Sequence, residues 1–183
     1  MSAASDSRSS AETKARILLA AQTVFAEHGY SHAGLREIAR QAQVAPSLLL
    51  KYFGTKARLF EEALIAAIIP LQHFQSDRPQ LGEAIVASVL DPGSRMVAPA
   101  MIALALGDPE SRAVTVRVVQ ERIVGPMADW LDGDEGLASA INLLAMTTGF
   151  AIFHRNMDLG LEPRTRQDAA RLMARALQAM ADG

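Results

Sequence analysis

Apolar residues recur at three- and four-residue steps along most of this 183-residue chain, and strand-like alternation is nearly absent. In a helix that spacing gathers side chains on one stripe, so the pattern points to an all-α fold of about nine helices. The first stripe is Ile17, Leu18, Ala21, Val24, Phe25 and His28. Ser9 and Glu12 precede it at capping-box spacing, and Gly29 is expected to stop it. Short helices are expected from about Leu35 to Ala42 and from about Pro46 to Tyr52. A fourth, capped by Thr55, carries Leu59, Phe60, Ala63, Leu64 and Ala67 towards Pro70. After a loop around Ser76–Pro79, helices follow near 80–90, 94–106, 109–131, 135–156 and 164–180. Pro92-Gly93, Gly107-Asp108-Pro109, Gly125-Pro126 and Gly160 to Pro163 punctuate them. Residues 1–10 are serine-rich and lack the apolar core of a signal peptide; they are expected to form a disordered arm.

Residues 35–54 have the offsets of a helix-turn-helix. Two short helices crossing steeply need a small residue where they touch and apolar residues on their facing sides. With Leu35 as the first position, Ile38, Ala39, Ala42, Val44, Leu49 and Tyr52 stand fourth, fifth, eighth, tenth, fifteenth and eighteenth. Ala39 permits the close approach, and Pro46 suits the first turn of the second helix, where its missing N–H costs nothing. The same offsets would fit any αα-hairpin in a bundle, so the charge distribution carries weight. Residues 1–58 hold eight Lys and Arg against four acids, a net +4, whereas the rest hold ten against sixteen, a net −6. A basic front on an acidic body suits a module that binds a polyanion.

Flanking residues sharpen this. Gly29-Tyr30, Leu35-Arg36-Glu37-Ile38-Ala39, Ala42, Val44, then Lys51-Tyr52-Phe53-Gly54-Thr55-Lys56 and Leu59 resemble the N-terminal domain of TetR-type repressors over about residues 11–70. The resemblance implies a sequence-specific DNA-binding transcriptional regulator, a repressor released from a palindromic operator by a small-molecule effector. Its expected organisation is a helix-turn-helix domain over 11–55 and a helical effector-binding and dimerisation domain over 56–183. Three positions depart from the family pattern. Gly34 stands for a Thr or Ser, Ala45 for a Ser, and Leu50 for a Tyr, and each swap deletes a hydroxyl that could bond the DNA backbone.

Exposed positions on the third helix are expected to be Pro46, Ser47, Leu50 and Lys51. Ser47 can bond a base edge or a phosphate, Lys51 a guanine or a phosphate, and Leu50 and Pro46 can pack on thymine methyls. Arg36, Tyr52 and Lys56 are expected at phosphates, although Tyr52 fits equally well as a core residue with its hydroxyl at the rim. So few base readers suggest that specificity leans partly on DNA shape.

In the body, the helix at about 135–156 is apolar nearly all round, with Leu137, Ile141, Leu144, Ala145, Phe150 and Ile152 outside any single stripe. Such a helix must be covered on two sides. Ala138, Ala145 and Gly149 would let another backbone come near. The last helix puts Ala169, Leu172, Met173, Ala176 and Met180 on one face. By resemblance these two helices, with Ile152, form a four-helix interface with their copies in a homodimer. An effector pocket is expected among the helices between about 70 and 150. Phe74, Met96, Met101, Trp130, Met146 and Phe150 would line it, and His73, Arg117 and Asn142 would serve as polar anchors for a small apolar or amphipathic molecule.

Other functions find little support. The chain has no cysteine, which removes disulfides and thiolate chemistry and fits a cytoplasmic protein. Four scattered histidines form no metal motif, so no metal or cofactor is expected, and no nucleophile elbow or phosphate loop suggests an enzyme. Glu61-Glu62 read as a solvated helix face rather than an acid/base pair. Gly136 to Phe153 carries no charge, but its polar residues and charged ends argue for a buried or interface helix rather than a membrane span. The alternatives are a protein-binding adaptor with a weakened helix-turn-helix and, more distantly, a helical ligand-binding enzyme.

Overall fold

A computed structural model describes the backbone of residues 2–68, 78–157 and 159–182, with side chains from residue 10 onward. Among these residues there is no strand, and nine α-helices can be followed. They are α1 (Ser2–His32), α2 (Leu35–Gln41), α3 (Pro46–Phe53), α4 (Lys56–Ala67), α5 (Leu81–Leu90) and α6 (Ala98–Ala105). Helix α7 runs from Pro109–Val119 through a π turn at Gln120–Val124 into Gly125–Leu131. Helix α8 is Gly136–Ala151 with a π turn at Ile152–Asn156, and α9 is Pro163–Asp182.

The compact units are not consecutive in the chain. Met1–Ala67 groups with Ala100–Val118, and Ile68–Pro99 with Val119–Gly183. Helix α4 and residues 100–118 therefore share a unit with the helix-turn-helix, where the sequence suggested a division after residue 55.

The first unit is built on the stripe of α1. Ile17, Ala21, Val24 and Phe25 are fully buried, as are Ala63 and Leu64 of α4, with Leu59 and Phe60 almost so. Aromatic rings fix the angle of approach: Phe25 meets Phe60 edge to face at 5.1 Å, and Tyr30 meets Phe60 at 5.5 Å. The buried Gln22 side chain donates to the Ala63 carbonyl at 3.2 Å, so its polar end is not left unpaired. Gly29 has φ 68 and interrupts α1, as its sequence position suggests. His28, the last member of the stripe, is exposed because the helical geometry ends beside it.

At the other end of α1 the outcome differs from expectation. The backbone is helical from Ser2, so residues 2–10 extend the helix where an arm was expected, and Ser9 lies inside it. No Gly or Pro stands between Ser2 and His28 to stop propagation. Thr55 does cap α4, its hydroxyl accepting the Arg58 N–H at 3.1 Å.

In the second unit Leu81, Ile85, Val89, Leu131, Leu143, Phe150 and Leu177 form the core. Helix α5 lies against α9 so closely that a β-carbon at Gly82 would collide with the Ala174 carbonyl. Two arginines tie off helix ends. Arg78 donates to the Leu131 and Ala181 carbonyls at 3.0 and 3.3 Å, and Arg155 to those of Val89, Asp91 and Ser94 at 2.9, 3.0 and 2.7 Å. Arg78 thereby pairs carbonyls at the ends of α7 and α9, and Arg155 ties the end of α5 to the loop that follows it.

Candidate nucleic-acid interface

Helices α2 and α3 pack on each other with the positions their offsets require turned inward. Ile38, Ala39, Ala42 and Leu49 are buried, and Val44 and Tyr52 are half-buried. The turn is held by Ala42 N–H to Ile38 O at 2.9 Å, Gln43 N–H to Arg40 O at 3.1 Å and Val44 N–H to Ala39 O at 3.0 Å. It forces Gln43 into the left-handed region at φ 56, a conformation that costs an L-residue about 1–2 kcal/mol. Ala45 then takes the N-cap position of α3 in extended geometry with Pro46 behind it. Neither it nor Gly34, the N-cap of α2, has a side chain that caps. Gly54, at φ 72, closes α3 and sends its N–H to Leu50 O at 2.8 Å.

With Leu49 and Phe53 turned inward, α3 leaves Pro46, Ser47, Leu50 and Lys51 exposed on its outer side. Leu50 is 51 % exposed. Arg36 is exposed on α2. Tyr52 is half-buried, as the reading of a core residue with its hydroxyl at the rim expects. Its ring tilts against Phe53 at 6.2 Å, and its hydroxyl lies at the rim, 3.0 Å from the Ser10 hydroxyl. Lys56 is half-buried with its ammonium over the Tyr30 ring, 4.6 Å from the centroid.

Two basic residues near this surface carried no signal in the sequence. Arg40 is exposed but forks onto Glu37 at 2.9 and 2.6 Å. With Gln41 adding a third hydrogen bond, Arg40 holds the Glu37 carboxyl down to about 2. Lys14 pairs with Glu62 at 2.7 Å and lies 5.6 Å from the Phe53 ring centroid. Only contacts between α1, α3 and α4, distant in sequence, bring it here.

Glu61 corrects the reading of Glu61-Glu62 as a solvated face. It is 7 % exposed and accepts from Arg58 at 2.8 Å and from Arg117 at 2.6 Å. Arg117 holds its carboxyl below the usual range, against burial, which pushes the other way; Arg58 assists. Arg117, expected to anchor an effector, is thus engaged within the first unit. Met101 is buried in the same unit.

Of the other pocket candidates, His73 and Phe74 lie outside the described residues. In the second unit Phe150 belongs to the core, and Met96, Trp130 and Met146 pack against it. Asn142 is exposed and lines a cleft of about 660 Å³ together with Arg78, Asp132, Ser139 and Met180. A larger groove of about 1060 Å³ runs between α5 and α9, past Glu83, Val86, Leu90, Arg171, Leu172 and Arg175, and holds none of the candidates for the pocket.

The interface candidates have more in common. Ala138, Ala145, Leu172 and Ala176 are exposed, and Gly149, Ile152, Met173 and Met180 are half-buried. Among the apolar side chains of α8 and α9, Leu137, Ile141, Phe153 and Leu172 are 58, 51, 53 and 60 % exposed. The stretch Gly136–Asn156 has the length and apolar composition of a membrane-crossing helix, with a mean hydropathy of 1.6, yet only 28 % of it is buried within the chain.

Comparison with known proteins agrees with this geometry. Residues 17–63 match the family described as bacterial regulatory proteins, tetR family, and residues 80–180 match the tetracyclin repressor-like C-terminal domain. Among solved structures, a TetR-family transcriptional regulator from Rhodococcus sp. is similar with a TM-score of 0.72 at 16 % identity, covering 93 % of this chain and 99 % of that one. One from Mesorhizobium loti MAFF303099 gives 0.66 at 19 %, covering 93 and 96 %. NalD from Pseudomonas aeruginosa, the secondary repressor of the MexAB-OprM multidrug efflux pump, gives 0.64 at 23 %, covering 92 and 97 %. No curated protein sequence matches the chain. With a helix-turn-helix at its front and family matches over both parts, the chain belongs to the tetR family of bacterial regulatory proteins and is a DNA-binding transcriptional regulator.

Proposed function

We propose that this regulator is a cytoplasmic homodimeric repressor that holds a palindromic operator and leaves it when a small apolar or amphipathic effector binds. The observation that carries the DNA half of this reading is the outer side of α3, where Pro46, Ser47, Leu50 and Lys51 are exposed while Leu49 and Phe53 anchor the helix. Ser47 and Lys51 supply polar contacts to bases or phosphates, and Leu50 and Pro46 supply apolar contact to thymine methyls. Arg36, Tyr52 and Lys56 serve as phosphate contacts. No catalytic role and no cofactor enter this reading.

One short helix in one groove binds weakly, whereas two held about 34–36 Å apart read a palindrome one turn long. The exposed apolar side chains of α8 and α9 support a second copy as the partner, because patches of this kind on a monomer mark an interface. Release by an effector requires only that the effector prefer a different spacing, with a coupling of about 1–3 kcal/mol. The described clefts of the second unit are where we place it, with Asn142 as a polar contact.

The test is selection of bound duplexes from a random pool by the purified protein at a stated near-physiological salt, since affinity without salt means little. Enrichment of one palindromic site occupied by dimers is the expected result. Weak, salt-sensitive binding without preference would overturn it and favour the adaptor reading, with Gly34, Ala45 and Leu50 as lost contacts. Among sites so selected, Ser47→Ala or Lys51→Ala should relax preference without abolishing it; outright loss would refute a contribution from DNA shape.

A further inference from the structure

Tyr30 joins two groups of opposite charge. Lys56 places its ammonium over the ring face, 4.6 Å from the centroid, and the Tyr30 hydroxyl donates to Glu110 Oε2 at 2.5 Å. Glu110 belongs to the first turn of α7, and Asp108 just before it accepts the Ser111 N–H at 2.9 Å and the Ser31 hydroxyl at 3.3 Å. Both acids lie in the same compact unit as the helix-turn-helix, although more than 50 residues separate them from Lys56 in sequence. The nearby Arg112 turns its guanidinium to the Leu106 carbonyl, at 3.1 and 2.7 Å.

The hydrogen bonds explain why this acidic turn is so placed. Tyr30 is only 6 % exposed and needs a partner for its hydroxyl; Asp108 caps α7. A neutral residue could have served either purpose: a glutamine or a carbonyl accepts from tyrosine, and asparagine or serine caps a helix. The negative charge is therefore extra to both structural jobs, and Glu110 brings it to the hydroxyl end of the ring whose face Lys56 covers. Burial lowers the Lys56 pKa, while Asp108 and Glu110 act against that shift and favour the charged form.

The geometry points to Glu110, seconded by Asp108, as a specificity-determining residue that restrains the sequence-independent pull of Lys56 on phosphate. This rests on the reading of Lys56 as a phosphate contact. An ammonium already attracted by these carboxylates gives up part of that attraction when a phosphate arrives, and the carboxylates also repel the phosphate. The loss applies to every duplex equally, so it weakens non-specific binding in which phosphate contacts supply nearly all the affinity. Binding to a selected site, which adds base contacts, stays further above that background.

The experiment measures affinity for a mixed-sequence duplex and for a pool-selected duplex against salt, using the full-length wild type, Glu110→Gln, Lys56→Gln and the double variant. Glu121→Gln, an exposed acid in the second unit, is the charge-matched control. The Glu110→Gln variant keeps a side-chain oxygen to accept from Tyr30; Asp108→Asn, which retains a cap, serves as an independent second variant. Glu110→Gln should tighten mixed-duplex binding about two- to sixfold per bound protomer at low salt. It should also steepen the salt slope by up to about 0.9. Lys56→Gln should erase most of that gain, and Glu121→Gln should not reproduce it. Unchanged or weaker binding by Glu110→Gln and Asp108→Asn overturns the inference, as does full additivity with Lys56→Gln. If the wild type binds no duplex at any salt, the DNA-contact reading itself fails with it.

Discussion

Ala45→Ser should stabilise the first unit, and the structure allows the size of the gain to be worked out. Ala45 is the N-cap of α3, with φ −68 and ψ 140, and its side chain makes no cap hydrogen bond. A serine there keeps the backbone geometry and adds an oxygen that can accept an N–H from the first turn. Pro46 contributes no N–H and the Leu48 N–H already reaches Ala45 O at 2.9 Å, so Ser47 is the donor left free in the first turn. Ala at an N-cap is worse than Ser by typically ~1 kcal/mol. For a protein of this length that corresponds to a rise of about 2–4 °C in Tm. In urea it is a midpoint shift on the order of 0.5 M. Gly34→Ser is the internal comparison. Gly34 caps α2 with φ −88 and ψ 130 and also lacks a side-chain bond, but glycine is a tolerable N-cap, so the gain should be only a few tenths of a kcal/mol. The assay is urea unfolding followed by circular dichroism at one fixed protein concentration, because a dimer's stability depends on concentration. Equal shifts for the two variants, or destabilisation by Ala45→Ser, would refute the capping argument.

Three further outcomes can be checked. Gly54→Ala should cost about 1–3 kcal/mol by thermal unfolding, because φ 72 with ψ −56 strains any side chain even though nothing stands within 4 Å of an added β-carbon. Glu61→Gln should destabilise by about 1–2 kcal/mol, the exposed side of Arg117 limiting the loss. It should also flatten the acid limb of stability. The folded-state pKa of Glu61 lies below its ordinary 4.5, so the stabilisation is complete above about that pH and is lost as pH falls through the folded value; an unchanged acid midpoint would contradict the assignment. Ile141→Glu, at a position 51 % exposed on α8, should leave a folded monomer in sedimentation velocity and weaken binding to a palindrome, whereas an intact dimer would exclude that face from the interface.

The parts of this molecule written in local spacing could be read in advance. Ile38, Ala39 and Leu49 are buried because a hairpin of two short helices needs them there, and Pro46 and Gly54 mark the ends of α3 because their backbone preferences are strong. Parts that depend on distant chain segments could not be read. Glu61 looks like half of a solvated acidic pair until Arg117, 56 residues away in sequence, arrives to bond it. Lys56 looks free until Tyr30, whose hydroxyl bonds Glu110, is placed under its ammonium. Gln43 hides a left-handed turn because glycine is the residue that signals one, and here the turn geometry overrides that preference. The helical start at Ser2 is hard to read in advance because a serine-rich segment with a capping pattern also has nothing to stop a helix.

The interleaving of the two units has a consequence for the order in which the protein is made. The unit that reads DNA is not finished when its helix-turn-helix leaves the ribosome, since it takes in Ala100–Val118 as well. At about 5–20 residues per second, the chain between Ala67 and Val118 takes several seconds to synthesise. During that interval Glu61 has Arg58 but not Arg117, and Tyr30 lacks Glu110. The N-terminal third alone therefore holds its α1–α4 core without two of the contacts that the complete first unit has. A fragment cut after α4 would carry the same deficit permanently.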